Sequence, residues 1–113
     1  MTKDDRSDGR GDFATAGQIS AEMMGQVAGQ GFRAVICFRP DGEGGPEQPD
    51  FASIQAAATE HGLPSVHIPV VPGAATPEQI AETRQALGRL PTPILGYCAS
   101  GARAQMMYKA ARS

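Results

Sequence analysis

Short apolar runs alternate with helix-like segments along most of this 113-residue chain. The segments that follow these runs predict helices over about 21–30, 51–61, 77–90 and 102–112. The runs that predict strands are FATAGQ, RAVICFR, SVHIPVV and TPILGYC. Regular alternation of this kind implies right-handed crossovers and a parallel sheet with helices on both faces. The sequence therefore predicts an α/β fold of three layers, α/β/α, with a four-stranded parallel sheet.

Helix-capping residues support three of the predicted helices. Ser20 and Asp50 precede the first two helices, and Gly31 and Gly62 follow them as predicted stops. The third begins at Thr76-Pro77-Glu78-Gln79, which supplies a cap, a proline at the first helical position and a glutamine that completes a capping box.

Composition and charge narrow the class of protein. Residues 12–113 suit a single domain, whereas residues 1–11, MTKDDRSDGRG, are charged and predict a disordered tail. The net charge of -2 and the lack of a basic stripe argue against a nucleic-acid partner. The chain has no apolar run of membrane-spanning length and its N-terminus does not resemble a signal peptide, so we expect a cytoplasmic protein with no membrane contact.

Two cysteines and two histidines are the candidate metal ligands. Cys37, Cys98, His61 and His67 show no paired spacing typical of a metal site. Two cysteines are also too few for a disulfide scaffold. We therefore expect no metal and no cofactor.

The segment that follows the fourth predicted strand carries the candidate chemistry. Ligands of parallel α/β sheets bind beyond the carboxyl ends of the strands, and Cys98 stands at such an end. Arg103 follows after four small residues, namely Ala99, Ser100, Gly101 and Ala102. A loop of small residues leading into a helix can turn its backbone N–H groups toward an anion. These four residues are therefore predicted to form an anion-binding cradle.

A thiol in such a cradle has a lowered pKa, because the N–H dipoles and a nearby arginine favour the thiolate. The thiolate is the nucleophilic form of cysteine, and the planar guanidinium of Arg103 matches a tetrahedral oxyanion. We therefore predict Cys98 and Arg103 as catalytic residues. The competing interpretation is a buried structural cysteine beside a helix N-terminus.

The segment YCASGARA resembles the active-site loop of rhodaneses and of Cys-dependent phosphatases. Over residues 13–112, four segments follow the order of a small bacterial family that the chain resembles: FATAGQIS, GFRAVICFRPDGE, GLPSVHIPV and GYCASGARA. That family has the fold of dual-specificity and tyrosine phosphatases. Its members are described as phosphatase-like or as sulfurtransferases, and the domain occurs fused to a beta-lactamase-like persulfide dioxygenase. The resemblance implies a phosphatase-like sheet topology and a persulfide dioxygenase as functional partner.

Two departures from the phosphatase pattern favour sulfur chemistry. Phosphatases of this fold have five residues between Cys and Arg, whereas this chain has four, as rhodaneses do. Those phosphatases also carry an Asp after the strand resembling HIPV, which protonates the leaving oxygen. The corresponding stretch here, VVPGAATPEQ, contains no Asp. A narrower cradle without a proton donor suits a sulfur atom on Cys98 better than a phosphate group.

These features together predict a sulfurtransferase. The Cys98 thiolate attacks the outer sulfur of a small-molecule donor, thiosulfate or a persulfide, and the resulting Cys98 persulfide is passed to a thiol or another thiophile. Two alternatives stay open. One is a Cys-dependent phosphatase of low efficiency, and the other is a noncatalytic module that binds anions or senses persulfides.

Residues around the second predicted strand allow two interpretations each. Cys37 is either a resolving thiol for oxidised Cys98 or a small core residue, and the core interpretation is favoured. Arg39 either adds positive charge at the rim of the anion site or is a surface arginine paired with Asp41 or Glu43. These two acids either approach the site or belong to a solvated turn, which is the favoured interpretation.

Overall fold

The computed structural model describes residues 12–113, so the predicted tail over residues 1–11 lies outside the described residues. The four strands are β1 (Phe13–Ala16), β2 (Ala34–Cys37), β3 (Ser65–His67) and β4 (Ile94–Tyr97). A 3-10 turn (Ala21–Met23) leads into α1 (Met24–Gly29), and the other helices are α2 (Phe51–Glu60), α3 (Pro77–Arg89) and α4 (Ala102–Arg112). Each predicted strand and helix is therefore present.

The four strands form one parallel sheet in the order β1-β4-β2-β3. β4 lies in the interior, with Ala16 of β1 opposite Tyr97 on one side and Cys37 of β2 opposite Tyr97 on the other. All residues of β2 and β4 are buried, which explains why the sequence of both strands is continuously apolar. The loop after β4 therefore emerges at the centre of the carboxyl edge of the sheet.

Helices cover both faces of the sheet, as the alternation predicted. α3 and α4 pack on the face that includes Ile36 and Ile94, and α1 and α2 pack on the face that includes Val35 and Leu95. Side chains of successive strand residues point to opposite faces. The two faces of each interior strand thus bury separate apolar cores.

Local capping explains where α2 and α3 begin. The Asp50 side chain accepts a hydrogen bond from the Ser53 N–H, and the Thr76 hydroxyl accepts one from the Gln79 N–H. The Gln79 side chain returns a bond to the Thr76 N–H, which completes the predicted capping box with Pro77 at the first position. These caps fix the two helices at the residues that the sequence indicated.

The third strand is shorter than predicted. SVHIPVV predicted a strand over 65–71, but regular pairing with β2 ends at His67. The Ile68 and Val70 N–H groups still bond to β2 and its continuation at 2.8 and 3.0 Å, but Pro69 between them has no N–H to donate. The chain leaves the ladder here and forms a loop at the carboxyl edge of the sheet.

No helix within residues 12–113 is both long enough and apolar enough to cross a membrane. The same described residues contain no group of three or more His, Cys, Asp or Glu side chains that could hold a metal ion.

Candidate active site

Cys98 directly follows β4 and begins the loop that leads into α4. Its backbone N–H donates to the Ala16 carbonyl of β1 at 3.3 Å, so the position of the residue is fixed by the sheet. The residue is 1% exposed. Cys98 is therefore held rigidly at the carboxyl edge, where the sequence placed it.

Backbone N–H groups surround the Cys98 sulfur. The Gly101 N–H donates to Sγ at 3.1 Å. Burial is the largest single influence and would raise the pKa of the Cys98 thiol, but hydrogen bonds from the N–H groups of Ala104, Ser100, Gly101 and Arg103 together outweigh it. The net pKa lies below the usual value of 9.0, which favours the thiolate.

The cradle differs in detail from the one predicted over residues 99–102. The Ala102 N–H donates to the Ser100 hydroxyl at 3.3 Å, and the Ala99 carbonyl accepts a bond from the Gln18 N–H at 3.4 Å. The N–H of Ala104, in the first turn of α4, faces the sulfur as well. The first turn of α4 therefore completes the cradle, while Ala99 joins the loop to the end of β1.

Two glycines allow the loop to take this path. Gly101 adopts a φ of 96°, a left-handed conformation that non-glycine residues rarely take, and it is the N-cap of α4. Gly17 lies so close to the loop that an added Cβ would come within 2.9 Å of the Ala99 carbonyl oxygen. The Cys98 loop is thus packed directly against the backbone that follows β1.

Arg103 reaches from α4 across the carboxyl edge of the sheet. Its Nη1 donates to the Val70 carbonyl at 2.8 Å and lies 3.5 Å from the Phe38 carbonyl. The same guanidinium donates to both carboxylate oxygens of Glu43, from Nη1 and Nη2, at 3.0 Å each. The Arg103 side chain is 9% exposed, so these contacts determine its orientation.

Glu43 bridges the two candidate arginines, which the favoured solvated-turn interpretation missed. Its Oε1 accepts from Arg39 Nε at 2.8 Å as well as from Arg103. The hydrogen bond from Arg103, reinforced by the one from Arg39, lowers the pKa of the Glu43 carboxyl despite partial burial. Glu43 is therefore an ionised partner of the site.

The loop after β2 holds Glu43 in place. The Gln48 side chain donates to the Pro40 carbonyl at 2.9 Å and accepts from the Gly44 N–H at 2.6 Å, which closes the turn. Asp41 accepts from the Phe51 N–H at 2.8 Å and so ties the turn to the start of α2. For Asp41 the turn interpretation fits, because its carboxylate serves the loop.

Arg39 lies behind Glu43. Its Nη1 donates to the Gln18 side chain at 3.1 Å, and its side chain is 14% exposed. It pairs with Glu43, as one interpretation predicted, yet it is too buried to be called a surface arginine. Arg39 is not among the residues that line the hollow beside Cys98, but it shares the Glu43 carboxylate with Arg103. Its contribution of positive charge at the rim of the site stays a prediction.

A hollow of about 310 Å³ opens beside Cys98. We call this cavity the Cys98 hollow. It is lined by Pro72, Gly73, Cys98, Ser100, Ala102, Arg103 and Met106. Pro72 and Gly73 belong to the loop between β3 and α3, the stretch in which the sequence showed no Asp. No side chain in this lining is an acid or a histidine, so the described residues place no proton donor of these types there.

Cys37 and Cys98 lie on opposite faces of the sheet. Cys37 pairs with Tyr97 in the β2–β4 register and shares its core with that residue, whereas Cys98 belongs to the core on the other face. Burial raises the pKa of the Cys37 thiol above its usual value of 9.0. This geometry favours the core interpretation, because a resolving thiol must approach Cys98 without the sheet between them.

Sequence comparison places the chain among phosphatase-like domains. Residues 8–113 match the family described as the phosphatase-like domain of beta-lactamase hydrolase-like proteins. The beta-lactamase hydrolase-like protein of Xylella fastidiosa is 36% identical over 96 residues, which is 85% of this chain and 22% of that protein. The protein of the same name from Agrobacterium fabrum is 32% identical over 93 residues, 82% of this chain and 21% of that protein. The chain thus spans about a fifth of the length of these curated relatives.

Solved structures agree on the fold. A protein of Neisseria meningitidis Z2491, provisionally named a phosphatase, superposes with a TM-score of 0.79 at 30% identity and covers 86% of this chain and 68% of its own. A second provisional phosphatase, from Shewanella putrefaciens CN-32, gives a TM-score of 0.73 at 18% identity over 89% of this chain and 62% of its own. The first match supports the phosphatase-like part of the predicted resemblance, and neither name refers to rhodaneses or sulfur transfer.

Proposed function

The chain belongs to the family of phosphatase-like domains found in beta-lactamase hydrolase-like proteins, and from this premise we propose that Cys98 is the nucleophile of a group-transfer reaction on a small anionic substrate. The Cys98 thiolate attacks the electrophilic atom of the substrate and holds the transferred group covalently. Backbone N–H groups of the cradle and the Arg103 guanidinium stabilise the negative charge that collects beside the sulfur.

The first candidate reaction is transfer of sulfane sulfur. The thiolate bonds to the outer sulfur of thiosulfate, the S–S bond of the donor breaks, and sulfite leaves with the electron pair. A persulfide donor reacts in the same way and releases a thiolate. A thiophile then takes the sulfur from the Cys98 persulfide and regenerates the thiolate.

One observation carries this candidate: the Cys98 hollow has no acid or histidine in its described lining. Sulfite and thiolates leave as stable anions, so sulfur transfer needs no general acid. Glu43, the carboxylate paired with Arg103, has a lowered pKa and is ionised at neutral pH, so it is a poor proton donor. The chemistry of the site therefore suits leaving groups that depart without a proton.

The second candidate is hydrolysis of phosphate monoesters, which the comparisons favour by name. The matched family is described as phosphatase-like, and the neisserial structure bears a provisional phosphatase name. In this reaction the thiolate attacks phosphorus, the ester P–O bond breaks and the alcohol oxygen leaves with the electron pair. Water then takes the phosphoryl group from the Cys98 sulfur, which releases inorganic phosphate and regenerates the thiolate. Without a proton donor the rate should fall steeply as the leaving alcohol becomes more basic. Aryl phosphates would then react far faster than alkyl phosphates.

A direct comparison of both reactions tests the proposal. Purified protein is assayed for thiocyanate formation from thiosulfate and cyanide and, in parallel, for hydrolysis of an aryl phosphate. We expect sulfur transfer that Cys98→Ser abolishes and Cys37→Ser retains. Hydrolysis of the aryl phosphate without sulfur transfer would favour the second candidate. If Cys98→Ser keeps either rate, Cys98 is not the nucleophile of that reaction.

A further inference from the structure

We infer that Glu43 tunes the anion affinity of the Cys98 hollow: by engaging one edge of Arg103 it weakens the binding of anionic substrates, and weakens that of dianions more than that of monoanions. The inference rests on the proposed function in taking Cys98 as the reacting group. It goes further by assigning a role to an acidic residue outside the hollow lining.

Arg103 uses only part of its hydrogen-bond donors on protein acceptors within the described part of the chain. A guanidinium has five N–H groups in a fixed plane. The two Nη1 donors are directed at Glu43 Oε2 and at main-chain carbonyls, chiefly that of Val70 at 2.8 Å, and one Nη2 donor binds Glu43 Oε1. Within the described part of the chain the Nε–H and the second Nη2–H, which share the other edge of the plane, make no hydrogen bond. Only this edge is left for a ligand in the hollow.

The charged groups around the hollow nearly cancel one another. Arg39 and Arg103 bring two positive charges, and Glu43 removes one of them through ion pairs of 2.8 and 3.0 Å. The Cys98 thiolate cancels the remaining charge. An anion entering the hollow then meets a cluster with no net positive charge. Without the Glu43 charge the cluster would keep one net positive charge, whose attraction is twice as large for a dianion as for a monoanion.

The position of Glu43 favours an electrostatic effect on anion binding over a role in holding the site together. The contacts of Arg103 to the Val70 and Phe38 carbonyls do not involve the Glu43 carboxylate, and the turn around Glu43 is closed by Gln48. The Glu43 side chain is 23% exposed. Neutralising it should therefore strengthen anion binding, whereas loss of a scaffold residue would weaken it.

The test measures how well anions protect Cys98 from iodoacetamide, with the site of alkylation identified by mass spectrometry. Sulfate and perchlorate serve as probes, because both are tetrahedral oxyanions and differ in charge. All measurements use one constant ionic strength, since salt screens exposed charges. The variants are Glu43→Gln and Glu43→Ala, with Glu47→Gln as a matched control, because Glu47 is exposed in the same loop.

We expect Glu43→Gln to bind perchlorate about threefold more tightly and sulfate about tenfold more tightly than the wild type, because the Coulomb energy scales with the charge of the ligand. Glu43→Ala should shift both affinities in the same direction, so a folding defect in one variant leaves the other to decide. Glu47→Gln should match the wild type.

Two outcomes overturn the inference, and they are distinguishable. If the wild type is protected but the Glu43 variants bind sulfate equally or more weakly, Glu43 does not set the charge preference, and the proposed function stands. If neither anion protects wild-type Cys98, the hollow is not an anion site. In that case the inference and the proposed function both fail.

Discussion

The Gly101 N–H donates a 3.1 Å hydrogen bond to the sulfur of Cys98, three residues earlier in the chain. The N–H groups of Ser100, Arg103 and Ala104 also act on this sulfur and lower its pKa, as the loop after β4 turns into α4. Small residues between Cys98 and Arg103 are needed because the backbone itself is the binding surface. A structural cysteine would instead be surrounded by apolar side chains without converging donors.

Alkylation of Cys98 should become fast at a lower pH than alkylation of an ordinary cysteine thiol. Because the cradle lowers the Cys98 pKa below 9.0, the thiolate is populated at lower pH than in a free cysteine. The rate of alkylation at Cys98 should therefore reach half of its maximum below pH 9.0, with Cys37 unreacted in the native protein. A midpoint at or above that of a free thiol would contradict the lowered pKa.

The free energy of unfolding should also depend on pH because of the lowered Cys98 pKa. In the interval between the lowered native pKa and 9.0, the unfolded state binds more protons at Cys98 than the native state does. The free energy of unfolding of the wild type relative to Cys98→Ser should therefore rise with pH through this interval and level off above it. Urea unfolding at a series of pH values measures the difference. A difference that falls with pH would mean that burial dominates at Cys98.

Replacing Gly101 by Ala should damage both the cradle and the fold. The φ of 96° is strained for any residue with a Cβ, and the cost is about 1–2 kcal/mol. We expect a loss of that size in the free energy of unfolding and a rise in the Cys98 pKa. Gly88→Ala in α3 is the matched control, because nothing lies within 4 Å of a Cβ added there, and it should stabilise the protein by about 0.5–1 kcal/mol.

Mild peroxide should oxidise Cys98 without forming a disulfide to Cys37. The two side chains belong to apolar cores on opposite faces of the sheet, and a disulfide would require their sulfur atoms to come into bonding distance. Mass spectrometry of the oxidised protein should show sulfenic acid or higher oxides at Cys98 and an unmodified Cys37. An intramolecular crosslink in the folded protein would restore the resolving-thiol interpretation.

Local features of the sequence predicted the fold because each of them acts over a few residues. The caps at Asp50 and Thr76 determine where α2 and α3 begin, and the apolar runs at Ala34–Cys37 and Ile94–Tyr97 mark the two interior strands. Cys98 could be placed because the carboxyl end of a parallel strand is a position that topology alone defines.

The contact between Glu43 and Arg103 was not predicted, because it joins residues that are far apart in the sequence. Glu43 and Arg103 are separated by 60 residues, and their contact requires the loop after β2 to fold across the carboxyl edge. The spacing of Arg39 and Glu43 indicated their ion pair but not the second arginine. Whether Cys37 could approach Cys98 stayed open at the level of sequence for a related reason. Its place beside β4 was predicted, but the register that puts it on the face of Tyr97 was not.

The central claim, that the Cys98 thiolate takes up the transferred group covalently, is tested most directly by intact-protein mass spectrometry after brief exposure to a donor without an acceptor. Thiosulfate or an organic persulfide should add the mass of one sulfur atom to the wild type, at Cys98 by peptide mapping, and nothing to Cys98→Ser. Cyanide should then remove the added sulfur as thiocyanate. If an aryl phosphate instead adds a phosphoryl group at Cys98 while sulfur donors add nothing, the site is that of a phosphatase. If neither donor modifies Cys98, the covalent mechanism is contradicted.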